Sequence, residues 1–439
     1  MTDTRLIDPS APGSRSEERA AHQKRTLVVL VIMQVIGAVG VGVAPSIGVL
    51  LAGEVTSNEG LAGLARTAST LGAAVLGLPL GTLAARRGRR VALATGWWSA
   101  AAGGALLVAA AQWNLLVPLF VGLLLIGAGS AVSLQSRFAA TDLAAPEQKA
   151  RSLSLVVWVG TLGMVLGPNL GAPGAVIGDA TGLTVYAAAF LIAAVCMAVA
   201  GAVVFFLLRP DPLVLLQQQE GITAGGEGAS GEDRPRLRER LSLILAEVRT
   251  NLRARYAVVA ILTAQAVMVA VMTMTPVHIV NEGDSVTIVG ITISLHIAGM
   301  YAFAPLVGYL ADRFGHRLTI AAGLGIFLAS LVIGIVVPDR TGWLIASLIL
   351  LGVGWSFVNV AGSALFSAAV SDEARASAQG AVDAAANLFG ATAALLAGPL
   401  LVLTSFSLLS LLSVVVLAPL AVLTASSRLG GWADAGADG

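Results

Sequence analysis

The chain has 439 residues, of which 56% are apolar and only 12% are charged, and its mean hydropathy is +0.86. Because about a quarter of the residues in a soluble globular protein are charged, this composition excludes a soluble domain and predicts a membrane protein. A single cysteine excludes a disulfide framework and a multi-cysteine metal site. The net charge of +1 is less informative than the placement of the charges along the chain.

Twelve apolar stretches are long enough to cross about 30 Å of hydrocarbon as helices. They are continuously apolar, which disfavours a membrane β-barrel, whose strands alternate polar and apolar residues. We therefore predict an all-α membrane protein with twelve transmembrane helices, called spans 1 to 12. The predicted spans are 26–50, 61–83, 91–111, 115–137, 152–175, 184–208, 256–280, 286–311, 318–337, 342–368, 377–404 and 406–425.

The longest hydrophilic stretch divides the twelve spans into six and six. The second part of this central loop spaces its apolar residues as in a basic amphipathic helix lying on a membrane, and a plain solvated linker is the alternative. The predicted segments are an N-terminal tail at 1–25, a six-helix bundle at 26–208, the central loop at 209–255, a second six-helix bundle at 256–425 and a C-terminal tail at 426–439.

Basic residues indicate the orientation of the chain. When twelve spans are drawn, all but two of the 26 Lys and Arg residues fall on one side of the membrane, the exceptions being Arg66 and Arg340. Basic loops mark the cytoplasmic side of a membrane protein. We therefore predict a multi-pass protein of the bacterial cytoplasmic membrane with both termini in the cytoplasm.

A ten-residue motif occurs twice, once after span 2 and once after span 8. Gly81–Arg90 and Gly308–Arg317 agree at six of ten positions. Gly167-Pro168 in span 5 and Gly398-Pro399 in span 11 repeat at nearly the same offset. Duplicated six-helix halves are typical of carriers with a binding site between the halves near the membrane midplane. The repeat therefore predicts two pseudo-symmetric bundles.

The loop at Gly308–Arg317 resembles the signature loop of the major facilitator superfamily, and the six-plus-six plan extends the resemblance over the whole chain. The resemblance implies that Asp312 and Arg313 form a latch between the halves, whereas Ala85 replaces the aspartate in the first loop. The alternative is that the arginines of the two loops only fix the orientation of the spans in the membrane. The other loop residues that the resemblance implies for gating are Gly81, Arg86, Gly88, Arg90, Gly308, Gly315 and Arg317.

Charged and polar side chains inside the spans are candidate site residues, because a charge in hydrocarbon costs about 2.5–3.5 kcal/mol. Gln379, Asp383 and Asn387 recur every four residues on one face of span 11. Asp383 is the candidate for proton coupling, and an interhelical strut is the alternative. Arg66 in span 2 either faces a cavity or extends to the membrane surface. Arg137 at the inner end of span 4 has a predicted gating or structural role.

Two pairs of potential metal ligands lie near the midplane. Met268 and Met272 are four residues apart in span 7, and so are His296 and Met300 in span 8. Thioether and imidazole groups suit Cu(I), although methionines in membrane helices mostly pack. With the segment Gln135–Asp142, these pairs resemble a branch of the superfamily that contains copper importers for cytochrome oxidase assembly. The resemblance implies that the two pairs bind the metal.

Three functions are open. The first is a secondary active, proton-coupled transporter that moves a small organic solute by alternating access; the motif at 163–171 in span 5 is similar to one in proton-coupled antiporters and favours efflux. The others are a copper importer and a non-transporting sensor or scaffold. No phosphate-binding loop or nucleophile elbow is present, so we predict neither an ATP-driven pump nor an enzyme. We expect a monomer in the lipid bilayer, with a small-molecule or metal-ion substrate, no cofactor and no nucleic-acid partner.

Overall fold

The computed structural model of the protein describes residues 12–145, 148–219, 251–370 and 372–426. Most of the predicted central loop, including the greater part of its amphipathic helix, lies outside these residues. So do the first eleven residues of the N-terminal tail and nearly all of the C-terminal tail.

The described residues contain eleven helices that are long and apolar enough to cross a membrane. One of them, Glu59–Trp113, is 55 residues long and is broken at Gly88, so it holds two spans and the predicted twelve are confirmed. The helices are Pro12–Gly42 with Val49–Thr56 (span 1), Gly63–Trp113 (spans 2 and 3), Leu116–Ala139 (span 4), Lys149–Leu166 with Gly171–Thr181 (span 5), Val185–Leu207 (span 6), Leu252–Asn281 (span 7), Val286–Ala302 with Ala304–Phe314 (span 8), His316–Val336 (span 9), Thr341–Ala369 (span 10), Asp372–Leu403 (span 11) and Phe406–Ala425 (span 12).

Three spans are interrupted where the sequence predicts continuous helices. Span 1 loosens at Ala44–Gly48, span 5 tightens at Gly167–Leu170, and span 8 breaks at Phe303, two residues before Pro305. Each interruption contains or adjoins a proline, which lacks the amide hydrogen that a helix needs and clashes with the preceding turn. The helix of span 1 also begins earlier than predicted, at Pro12, so part of the predicted tail is helical.

The two copies of the ten-residue motif have the same backbone turn. Gly88 and Gly315 occupy equivalent positions, and both have φ of 86°. An L side chain is strained at this φ, so the turn requires glycine. The shared conformation supports the internal duplication that the sequence indicates.

The buried side chains form two hydrophobic cores, each made mainly of residues from one half of the chain. Trp97 and Phe190 lie in the first core, and Phe327 and Phe366 lie in the second; all four are almost completely buried. The all-α fold is thus built from two six-helix bundles.

The halves contact each other near one face of the protein. We call the face that carries the loops after spans 2 and 8 the basic face, and the other the opposite face. Toward the opposite face, the Thr67 hydroxyl of span 2 donates to the Ala391 carbonyl of span 11 (3.0 Å). The Asn169 amide of span 5 donates to the Ser294 hydroxyl of span 8 (2.6 Å), which donates to the Val165 carbonyl (2.5 Å).

Toward the basic face the two halves separate. A Cβ built on Gly308 in span 8 or on Gly380 in span 11 would have no atom within 4 Å. Asp383 and Asn387, on the same part of span 11, are exposed. The space between the bundles, called the central gap, is therefore closed at the opposite face and open at the basic face.

Candidate functional site in the central gap

Arg66 of span 2 lies at the closed end of the central gap. Gly63 and Thr67 pack this side of span 2 against span 11, and Arg66 lies beside that contact. Its guanidinium is half-buried and interacts electrostatically with Tyr301 and His296, which belong to span 8 of the other half. Among the described residues, this guanidinium has neither an ion pair nor a hydrogen bond.

Arg137 of span 4 provides a second positive charge, closer to the basic face. It is half-buried and interacts electrostatically with Tyr301 of span 8 and with Asp383 of span 11. The described residues offer its guanidinium no hydrogen bond and no carboxylate within ion-pair distance. Arg137 therefore faces the other half of the protein across the gap.

The three polar residues of span 11 lie on one face of the helix, as their spacing predicts. Asp383 and Asn387 are exposed in the gap and Gln379 is half-buried. The Asn387 amide donates to the backbone carbonyl of Asp383 (2.9 Å), which leaves the Asp383 carboxylate free to respond to Arg137. The structure thus places Asp383 within electrostatic range of Arg137, a relation that the sequence did not predict.

Tyr301 is a site residue that the sequence reasoning missed. It interacts electrostatically with both Arg66 and Arg137 and is therefore within reach of both charges. Its ring meets that of Trp355 edge to face at 5.8 Å, and the Trp355 indole donates to the side chain of Gln265 (2.9 Å). The available signal was a tyrosine in the middle of an apolar span, because a phenol needs a polar partner when it is buried.

His296 is completely buried, and its two ring nitrogens differ. Nδ1 bonds to the carbonyl of Leu348 in span 10 (2.8 Å). A carbonyl only accepts hydrogen bonds, so Nδ1 carries a hydrogen. Nε2 is buried without a hydrogen-bond partner among the described residues. One strong hydrogen-bonding atom of the site is therefore unused.

The three methionines of the predicted metal motif, Met268, Met272 and Met300, are buried in the hydrophobic core of the second half. His296 is held against span 10 by its Nδ1 bond. The positive charge of Arg66 lies beside the imidazole and disfavours a cation at Nε2. This arrangement suits packing better than a metal site, and Cu(I) binding stays a prediction to be tested.

The first signature loop is fixed by two aspartates of its own half. Arg89 donates to both carboxylate oxygens of Asp142 (2.9 and 3.3 Å). The backbone amide of Arg90 donates to Asp211 (2.7 Å), which also caps the helix Pro212–Gln219. Burial raises the pKa of Asp142, and the bond from Arg89 opposes this rise. The loop lacks the family aspartate at Ala85, but the two other aspartates anchor it.

The second signature loop is exposed, apart from its anchor. Arg317 donates to the carbonyls of Thr424 (2.8 Å) and Ser426 (3.1 Å) at the end of span 12. Asp312 and Arg313 are exposed, and Arg313 donates to the Tyr309 hydroxyl of its own helix (2.7 Å). The predicted latch is not engaged in this conformation, because the halves are apart at the basic face.

Two duplicated six-helix bundles around a gap that opens to one face define a membrane transport protein. Residues 27–295 and 257–430 match the family model of the Major Facilitator Superfamily, and the chain belongs to this family. It is therefore a multi-pass membrane transporter of small solutes and not an enzyme.

Similar proteins agree with this assignment. The chain is 36% identical to the uncharacterised transporter YddS of Bacillus subtilis (strain 168), over 90% of this chain and 89% of YddS. It is 29% identical to the riboflavin transporter RfnT of Brucella anthropi, over 83% of this chain and 86% of RfnT. The fold matches a bacterial homologue of the human lysosomal transporter Spinster in an inward-facing, unoccupied conformation with a TM-score of 0.68, 14% identity and coverage of 92% and 96%.

Proposed function

We propose that the protein is a secondary active transporter that moves a small organic solute across the bacterial cytoplasmic membrane by alternating access. The observation that carries this proposal is the central gap, which is closed at one face, open at the other and faced by charged side chains from both halves. In this proposal the basic face is cytoplasmic, in accordance with the positive-inside rule. The structure then corresponds to the state that is open to the cytoplasm.

The contacts between the halves support the proposal of alternating access. They lie near the opposite face, where the hydrogen bonds are joined by apolar contacts of Leu50, Met274 and Val277, so a second set of contacts at the basic face can replace them. Closure at the basic face brings the exposed Asp312 and Arg313 toward the other half, where the predicted latch forms. Transport then requires two alternative sets of contacts, one at each face.

Proton coupling is assigned to Asp383 in this proposal. Its carboxylate is exposed in the gap and attracted to Arg137 of the other half. Protonation of Asp383 removes this attraction between the halves, so proton binding changes the balance between the two conformations. Solute binding in the same gap then becomes linked to proton movement.

The test is uptake by proteoliposomes under an imposed pH gradient, with a panel of labelled organic solutes that begins with riboflavin, the solute named for one relative. The wild type is compared with Asp383→Asn and with a control, Asp179→Asn, which alters an exposed carboxylate near the opposite face. We expect uphill accumulation by the wild type and the control, and only equilibration by Asp383→Asn. Uphill transport by Asp383→Asn with unchanged pH dependence would refute the coupling role.

The same assay tests transport itself and its direction. A scaffold or sensor moves none of the solutes in the panel in either direction. An exporter accumulates its solute in vesicles whose basic face is outside, and an importer accumulates it in vesicles of the other orientation. Absence of transport for the whole panel in both orientations would contradict the proposed function.

A further inference from the structure

We propose that the transported solute is a small organic anion whose carboxylate or phosphate group binds Arg66 in the central gap, with Arg137 supplying a second positive charge nearer the basic face. This inference rests on the proposed function, because it names the substrate class of the same site. It follows from a charge imbalance across the gap.

The imbalance is visible in the electrostatic partners of the two arginines. Arg137 has a carboxylate neighbour, Asp383, whereas the neighbours of Arg66 are the uncharged phenol of Tyr301 and the imidazole of His296. Among the described groups that these interactions link across the gap, two guanidinium groups therefore stand against one carboxylate. A solute with one negative charge restores neutrality.

Arg66 has no structural partner that accounts for its position. Two arginines of the signature loops do have partners: Arg89 is paired with Asp142, and Arg317 donates to carbonyls at the end of span 12. Arg66 is half-buried beside the contact between spans 2 and 11, without an ion pair or a hydrogen bond in the described part of the chain. A guanidinium held away from bulk water without a partner is costly, and an anion entering the gap removes that cost.

The geometry around the two arginines fits a carboxylate or phosphate. A guanidinium presents a planar fork of donors that matches two oxygens of either group. Tyr301 interacts electrostatically with both arginines, so a phenol that can donate to a further oxygen lies within reach of the proposed site.

The test measures the thermal stability of the purified full-length protein with two fractions of a bacterial metabolite extract. One fraction is retained by a strong anion exchanger, and the other is its flow-through. We compare the wild type with Arg66→Gln and Arg66→Lys, and with the control Arg340→Gln, which alters an exposed arginine near the opposite face. Arg137→Gln provides an independent second variant if Arg66→Gln fails to fold.

We expect the retained fraction to raise the melting temperature of the wild type and the control by about 2 °C or more, because a ligand that binds only the folded state stabilises it. The rise is lost in Arg66→Gln and in Arg137→Gln, and is partly kept in Arg66→Lys, which retains the charge but not the fork. The inference is overturned if only the flow-through stabilises the protein, if neither fraction does, or if both glutamine variants respond like the wild type.

Transport of the same two fractions into proteoliposomes separates this inference from the proposed function. If solutes of the flow-through cross and those of the retained fraction do not, the protein is a transporter and the anion assignment is wrong. If a retained solute stabilises the protein through Arg66 but does not cross, the anion site is correct and the transport function fails.

Discussion

Gly290 of span 8 lies at the contact that closes the gap at the opposite face. A Cβ built on it would lie 2.6 Å from the carbonyl oxygen of Pro168 and 3.1 Å from Asn169, both in span 5 of the other half. Gly290→Ala therefore places a methyl group directly between the halves. The crowding exists only while the halves touch at this face.

The size of the effect follows from these distances. Real Cβ atoms essentially never lie closer than 3.0 Å to such an oxygen, so spans 5 and 8 must move apart. Inserting a methyl group into a packed contact costs about 1–3 kcal/mol. Because the open conformation avoids this cost, the ratio of the two conformations shifts by about 5- to 150-fold toward opening at the opposite face. Alanine also has a higher helix propensity than glycine, but this gain is the same in both conformations and does not change their ratio.

Electron paramagnetic resonance distance measurement reports this shift. Spin labels at Trp113→Cys and Trp343→Cys, in a Cys196→Ser background, mark the ends of spans 3 and 10 at the opposite face. Both tryptophans are largely exposed. We expect Gly290→Ala to increase the population with a longer distance between the labels.

Two alanine variants of the same half serve as controls. A Cβ on Gly299 would lie 2.9 Å from the carbonyl of Ile349 in the same half, and a Cβ on Gly325 in span 9 meets nothing within 4 Å. Neither variant crowds the contact between the halves, so neither is expected to alter the distance distribution. The reasoning is refuted if Gly290→Ala leaves the distribution unchanged or shifts it no more than Gly299→Ala does.

Two further predictions concern charge. Arg89→Gln leaves the buried Asp142 carboxylate without its partner and lowers the free energy of unfolding by about 1–3 kcal/mol near neutral pH. This deficit shrinks as the pH falls through the raised pKa of Asp142, because a protonated carboxyl no longer attracts Arg89. Melting curves recorded at a series of pH values test this prediction, and Arg87→Gln, which alters an exposed arginine of the same loop, is the control. Cu(I) titration of the purified protein is expected to show no tight binding, because Arg66 lies beside His296. Tight binding that is lost in His296→Ala would instead support Cu(I) as the cargo.

The sequence predicts the fold well because hydrocarbon imposes simple requirements on a chain. Apolar length and the sorting of basic residues lead to twelve spans, and the repeated motif leads to two halves. The equal φ of Gly88 and Gly315 confirms the equivalence of the two loops. The sequence does not reveal which prolines interrupt a span, because spans 5 and 8 are interrupted beside Pro168 and Pro305, whereas Pro276 and Pro419 lie inside continuous helices.

The candidate site was predicted only in part. Arg66, Arg137 and Asp383 stand out in the sequence because charges are costly inside a membrane, and the structure places all three toward the gap. Tyr301 was missed because a tyrosine is less conspicuous among apolar residues. The electrostatic interaction of Arg137 with Asp383 was also missed, since only the packing of the two halves decides which residues of different bundles face each other.

The Asp211-Pro212 pair is a sequence signal for the start of a helix. An aspartate followed by proline commonly starts a helix, because the carboxylate caps free amides and proline fits the first turn. Asp211 caps the helix Pro212–Gln219 in this way and also binds the amide of Arg90. The helix start was predictable, whereas the contact with the loop depends on the packing of span 6 beside span 3.

Reversible locking of the halves tests the central claim most directly. In a Cys196→Ser background, Thr67→Cys and Ala391→Cys replace two residues that are joined across spans 2 and 11. We expect oxidation to form a disulfide that stops solute uptake by proteoliposomes, and a reducing agent to restore it, while each single-cysteine variant is unaffected. Undiminished uptake by protein whose two cysteines are demonstrably cross-linked would contradict transport through a gap that opens alternately at its two faces.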